Sequence, residues 1–209
     1  MMAFFNPWIG KHYFNNKLFS KRIFILGESH YCDKNCIDYC IDCGNLYQHP
    51  ECGCITSDVI GWYLNPEIER EKWMNTYLKF ERSLVGKETS NYDSIKIWDS
   101  LVFYNFLQVA MSGPRISGTN QEYADAAKSF LDTLEQYCPD VLIVWGLRLW
   151  DNLPNRYWED GGIIKVDGYS VSNGYYNLPN GHKVRAFAVY HPSTGYDWNY
   201  WYKVISRFI

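Results

Sequence analysis

Asp140-Val141-Leu142-Ile143-Val144-Trp145-Gly146 places five consecutive apolar residues between an acidic residue and a glycine. The run is too short for a helix and apolar on both faces, so it predicts a strand covered from both sides, as strands of parallel sheets are. The flanks agree with this reading. Upstream, Thr119 or Asn120 can cap a helix through Tyr123, Ala127, Phe130, Leu131 and Leu134 that ends near Cys138-Pro139, and downstream a short helix starts at about Leu147. Three more segments read as strands: Arg22 to Gly27, Leu101 to Tyr104, which delivers Asn105, and Lys183 to Tyr190, which ends at His191-Pro192. Helical spacing recurs from Pro66 to about Leu84, from Asp93 to Ser100 and from Trp198 to Phe208, and Gly162 to Val166 with Gly168 to Ser172 could form a hairpin. Strands separated by helices require crossover connections. The prediction is one α/β domain over residues 1–209, a three-layer α/β/α sandwich around a mainly parallel sheet of four to five strands.

Composition narrows the function classes. The 209 residues suffice for one sizeable core, and 47% hydrophobic with 21% charged residues is ordinary for a globular chain. Aromatic residues reach 18%, with nine Trp and eighteen Tyr, enough for both core and stacking surface. The net charge of −3 lacks a general basic character, so contact with a phosphate backbone would need a local patch. Met1 to Pro7 carry no basic start and apolar run of a signal peptide, and no stretch has the roughly 18 apolar residues of a membrane span. The expectation is a cytoplasmic protein without membrane contact.

In an open parallel α/β sheet, ligands bind beyond the carboxyl ends of the strands. Three polar clusters fall there: Glu28-Ser29-His30-Tyr31 after Gly27, Asn105, and His191-Pro192-Ser193. With Val141 to Gly146, these segments resemble, in the same order, the strand-end motifs of the uracil-DNA glycosylase superfamily. Those are a strand ending in G-Q-D-P-Y-H or G-E-A-P-G, one ending in an L-L-L-N type motif, an apolar strand ending in W-G or L-G, and a final H-P-S. The resemblance covers roughly residues 22 to 195.

It implies a pocket that receives an extruded or free nucleobase and reads its polar edge. His191 would stabilise charge on the base carbonyl as the N-glycosidic bond breaks, with Glu28 and Ser29 completing the catalytic group. Gly27, His30, Tyr31, Asn105 and Ser193 would contact the substrate, Tyr31 as the pocket wall. The chain departs from the pattern at three places. Ser29 stands where the family often has a water-activating Asp or Asn, His30 replaces Pro, and no apolar wedge follows Ser193. A non-catalytic binder of a nucleobase or nucleotide and a metal-stapled interaction domain are the alternatives.

Six of the seven cysteines lie between Cys32 and Cys54. The stretch of about 32–58, poor in periodic apolar residues, reads as an irregular insertion that a metal could order. Zinc on Cys40, Cys43, Cys52 and Cys54 is the preferred set, with an iron–sulfur cluster second and reduced cysteines without metal third.

Overall fold

A computed structural model describes residues 3–31 and 50–209. Its strands are β1 (Trp8–Ile9), β2 (Ile23–Gly27), β3 (Leu101–Asn105), β4 (Val141–Trp145), β5 (Trp158–Val166), β6 (Tyr169–Asn177) and β7 (Lys183–Val189). Its helices are α1 (Ile55–Leu64), α2 (Asn75–Val85), α3 (Asn91–Trp98), α4 (Asn120–Tyr137), α5 (Leu147–Asp151) and α6 (Trp198–Ile205).

The sheet is mixed, in the order β1-β3-β2-β4-β7-β6-β5. The four adjacent strands β3, β2, β4 and β7 are parallel, and β1, β6 and β5 add antiparallel edges. Seven strands replace the four to five predicted. The difference comes from the edges: β1 is only two residues long, and the hairpin runs well beyond the short segments predicted for it. A register shift between Asp160 and Ile163, with Gly162 at φ +72°, interrupts the alternation of β5 that would otherwise mark it as a strand.

The continuous apolar runs work because each strand serves two cores. In β2, Ile23 and Ile25 face a cluster with Ile60, Phe80, Trp98 and Trp201 from α1, α2, α3 and α6. Phe24 and Leu26 face the opposite cluster, with Phe130 and Leu134 of α4 and Leu149 beyond β4. Helices therefore cover both faces of the sheet. α4 starts where predicted: Thr119 Oγ1 accepts from Glu122 N at 3.2 Å, and the Glu122 carboxylate accepts from Thr119 N at 2.6 Å.

One predicted helical segment starts later than expected and one helix was not expected. The segment from Pro66 does not continue into α2, which begins at Asn75. Asn65, constrained by the following proline, is extended at φ −76° and ψ 114°, and its side chain accepts from Glu67 N at 3.0 Å, forming a turn instead. Helix α1 was not predicted, and its first turn lies inside the stretch assigned to the insertion. Thr56, Ile60 and Tyr63 form its buried stripe at i, i+4 and i+7, a pattern that the neighbouring Cys and Gly residues conceal.

Candidate functional site at the carboxyl ends of the parallel strands

The registers align the strand ends in one row. Gly27 of β2 pairs with Asn105 of β3, and Trp145 of β4 with Val189 of β7. The chain beyond β2 is tied to the chain beyond β3 by Phe106 N to Gly27 O (2.9 Å), Leu107 N to Glu28 O (2.8 Å) and Met111 N to His30 O (2.8 Å).

A Cβ on Gly27 would lie 2.2 Å from Asn105 Oδ1. Glycine is what lets the amide lie across the end of β2. Gly27→Ala is expected to displace Asn105 and destabilise the chain by about 1–3 kcal/mol, the range for an overpacked buried position. Urea unfolding of the variant measures this.

His30 is buried. Its Nε2 lies 2.9 Å from Thr56 Oγ1, Asn105 Nδ2 is 3.0 Å from the same nitrogen, and the ring stands edge-on to Phe5 at 4.8 Å. His30 and Asn105 were predicted to contact substrate. The structure has them bonded to each other, and through Thr56 this pair reaches the first turn of α1.

Burial pushes the His30 pKa down to about 3, against about 6.5 in an unfolded chain. Above pH 6.5 both states hold the ring neutral, so His30 adds no pH dependence. As pH falls from 6.5 toward 3, the unfolded chain takes up the proton first and stability drops by about 1.4 kcal/mol per pH unit. His191, shifted in the same direction, adds with the same sign. Urea midpoints at pH 7.5 and 5 should therefore separate clearly in the wild type and less in His30→Gln.

Glu28 is mostly buried and fully engaged. Arg148 Nε donates to Oε1 at 2.8 Å, Arg148 Nη2 donates to Oε2, and the Tyr123 hydroxyl also donates to Oε1. A fork of this kind holds the carboxylate in one orientation. Burial, then the bond to Glu28, raises the Tyr123 pKa, so its proton stays on the phenol. Arg148 and Tyr123 escaped the sequence reading. The available signal was that Arg148 follows Gly146 by two residues and so had to emerge at the carboxyl end of β4.

Ser29 is half-buried, with no side-chain hydrogen bond to another described residue. Tyr31 is exposed at the rim, its pKa raised by partial burial and by the charge of Glu28.

His191 leaves the end of β7 beside Gly146, whose φ of +98° suits glycine and whose Cβ, if present, would lie 3.6 Å from His191 Cβ. His191 Nδ1 accepts from Ser193 N at 3.2 Å and lies 2.8 Å from Ser193 Oγ. An Nδ1 that accepts a backbone N–H leaves the proton of the neutral ring on Nε2. Burial holds the pKa of this imidazole below its usual value, with Glu28 opposing and Arg148 reinforcing the shift. At neutral pH, His191 is thus an uncharged donor, with Ser193 as the residue that orients it.

Cys40 and Cys43 of the predicted metal set lie outside the described residues. Cys52 and Cys54 stand on the 3-10 turn Pro50–Cys54 that leads into α1, and Asn6 N to Gly53 O (2.8 Å) fixes this turn to the N-terminal segment. Among the described residues, no three or more His, Cys, Asp or Glu side chains are grouped to hold a metal ion. Tyr31 precedes Cys32, and Thr56, bonded to His30, follows Cys54, so the chain on either side of the six cysteines adjoins the site.

No protein-family model and no curated protein matches the chain. What the site can do follows from its own geometry: a neutral imidazole N–H donor, a paired Glu28–Arg148, and a rim tyrosine. Among the described residues, no helix is long and apolar enough to cross a membrane.

Proposed function

We propose that the chain is a uracil-DNA glycosylase-like protein that holds a nucleobase at the carboxyl ends of β2, β3, β4 and β7 and cleaves its N-glycosidic bond. The observation that carries the reading is the hydrogen bond from Ser193 N to His191 Nδ1, which leaves Nε2–H of the neutral ring as a donor at the strand end. Such a group strengthens its hydrogen bond as negative charge builds on a base carbonyl, and thereby stabilises the departing base. The order β3-β2-β4-β7, each strand ending at one of the four family-like motifs, supports the same architecture. In this reaction the bond from the sugar C1′ to the base nitrogen breaks, its electron pair leaves with the base, water adds at C1′, and the proton that water loses ends on the base, which departs neutral. Glu28, fixed by Arg148 and Tyr123, forms with them an oriented polar wall beside the sugar. It is not a free base for water, and Ser29 does not supply one.

The same engagement of Glu28, with the Asn105–His30 bond, favours a second reading in which the site binds a base without turnover. Nucleic acid or a nucleotide as the partner, and zinc, with an iron–sulfur cluster as the alternative, on Cys40, Cys43, Cys52 and Cys54, belong to the proposal. A panel of single-stranded and mismatched oligonucleotides containing deaminated bases tests it. Release of free base with an abasic product supports the enzyme. Base binding without release supports the second reading, and neither result on any substrate ends both.

A further inference from the structure

A cavity of about 300 Å³ lies on the α6 side of the same strand ends, between the start of β6, the end of β7 and the start of α6. Its walls include Tyr169, Tyr190, Tyr200 and Trp201, with Asp197 and Lys203 among the polar residues. Tyr190 is the residue before His191, so this cavity and the proposed base site share one chain segment. Tyr169 and Tyr190 are exposed. Behind them, Tyr169 rests on Tyr200 with ring centroids 4.5 Å apart, and Tyr190 on the buried Trp201 at 5.3 Å. The two exposed rings are thus backed by other aromatics and held in place, as a stacking platform requires.

The charges around the cavity argue for a base and against a phosphate. The Lys203 ammonium is paired with Asp167 at 2.8 Å. Asp197 uses Oδ1 to cap α6, accepting from Asn199 N at 2.9 Å and Tyr200 N at 3.3 Å, which leaves Oδ2 as an acceptor at the cavity. Lys203, the one cation among the described lining residues, is thus already paired, and Asp197 adds a carboxylate, so the lining offers a phosphate no unpaired cation. An aromatic ring with an amino edge meets stacking faces and an acceptor together.

We propose that this cavity is a second nucleobase subsite, which stacks the base flanking the one held at His191, so that the ligand is a single strand of at least two nucleotides. The inference rests on the base reading of the His191 site. It also explains how a chain of net charge −3 could hold a nucleic acid strand: through base faces more than through the backbone.

The test is calorimetric titration of the full chain with deoxyuridine and with a trinucleotide of deoxyuridine flanked by deoxyadenosines. The trinucleotide should bind more tightly than the nucleoside. Tyr169→Ala should lower trinucleotide affinity about tenfold or more while leaving nucleoside affinity unchanged, and Tyr169→Phe, which keeps the ring, should retain it. Equal affinities for the two ligands, with nucleoside binding still dependent on His191, overturn the second subsite and leave the first. Trinucleotide binding that depends on Tyr169 but not on His191 upholds the subsite and removes the base reading at His191. Absence of binding by either ligand overturns both.

Discussion

Replacing Glu81 with alanine should lower the free energy of unfolding by about 3–5 kcal/mol, because neutral donors lose one shared buried acceptor, at about 1–3 kcal/mol for each left unpaired. Glu81 lies wholly inside the helix-packed core, where its carboxylate accepts from Trp98 Nε1 at 2.9 Å, from Ser94 Oγ at 2.7 Å and from the Thr89 hydroxyl. Alanine would leave the buried Trp98 indole N–H and the Thr89 hydroxyl without this acceptor, each costing about 1–3 kcal/mol before relaxation, while Ser94 Oγ keeps the Ser90 carbonyl at 3.1 Å. Glu81→Gln keeps an amide oxygen in place and should lose less. The effect reaches the site because Trp98 packs edge-on against Phe103, which in turn packs on Trp145, the ring beside His191. Urea denaturation of the two variants measures the difference, and an alanine variant as stable as the wild type would show that the network is not holding α2 to α3.

The second large effect concerns chemistry. If the chain releases a base, His191→Ala should slow release by about 10²–10³-fold, the usual loss when one preorganised donor to a developing anion is removed. Ser193→Ala should show a smaller decrease, because the Ser193 backbone N–H still fixes the tautomer when the hydroxyl is gone. Single-turnover assays separate the chemical step from product release. A His191→Ala variant that turns over at the wild-type rate would remove His191 from the mechanism.

The four parallel strands were legible because their physics is local. A run such as Val141 to Trp145 is apolar throughout since both faces are covered, and Gly27 and Gly146 mark where such runs stop. The clustering of Gly27, Asn105 and His191 at one end followed from topology alone.

What Glu28, His30 and Asn105 do there was not legible, because their partners are remote in sequence, whereas Ser193, which orients His191, is only two residues from it. Arg148 lies 120 residues from Glu28, and Asn105 lies 75 from His30. No periodicity marks such pairs, so the sequence placed Glu28 and Asn105 at the strand ends without their partners Arg148 and His30. At the margins, local rules misled in the opposite direction. The helical spacing after Pro66 was real, but Asn65 and Pro66 form a turn before it can nucleate a helix, and the Cys and Gly residues ahead of α1 hid a helix that supplies Thr56 to the site.

The most direct test of the central claim is calorimetric titration of the wild-type chain and His191→Ala with uracil and other carbonyl-bearing free bases at neutral pH. The account predicts that a base binds the wild type and that its affinity falls about tenfold in the variant, the loss expected for one hydrogen bond in a sheltered site. Equal binding by the two proteins, or no binding of any base by the wild type, would contradict it.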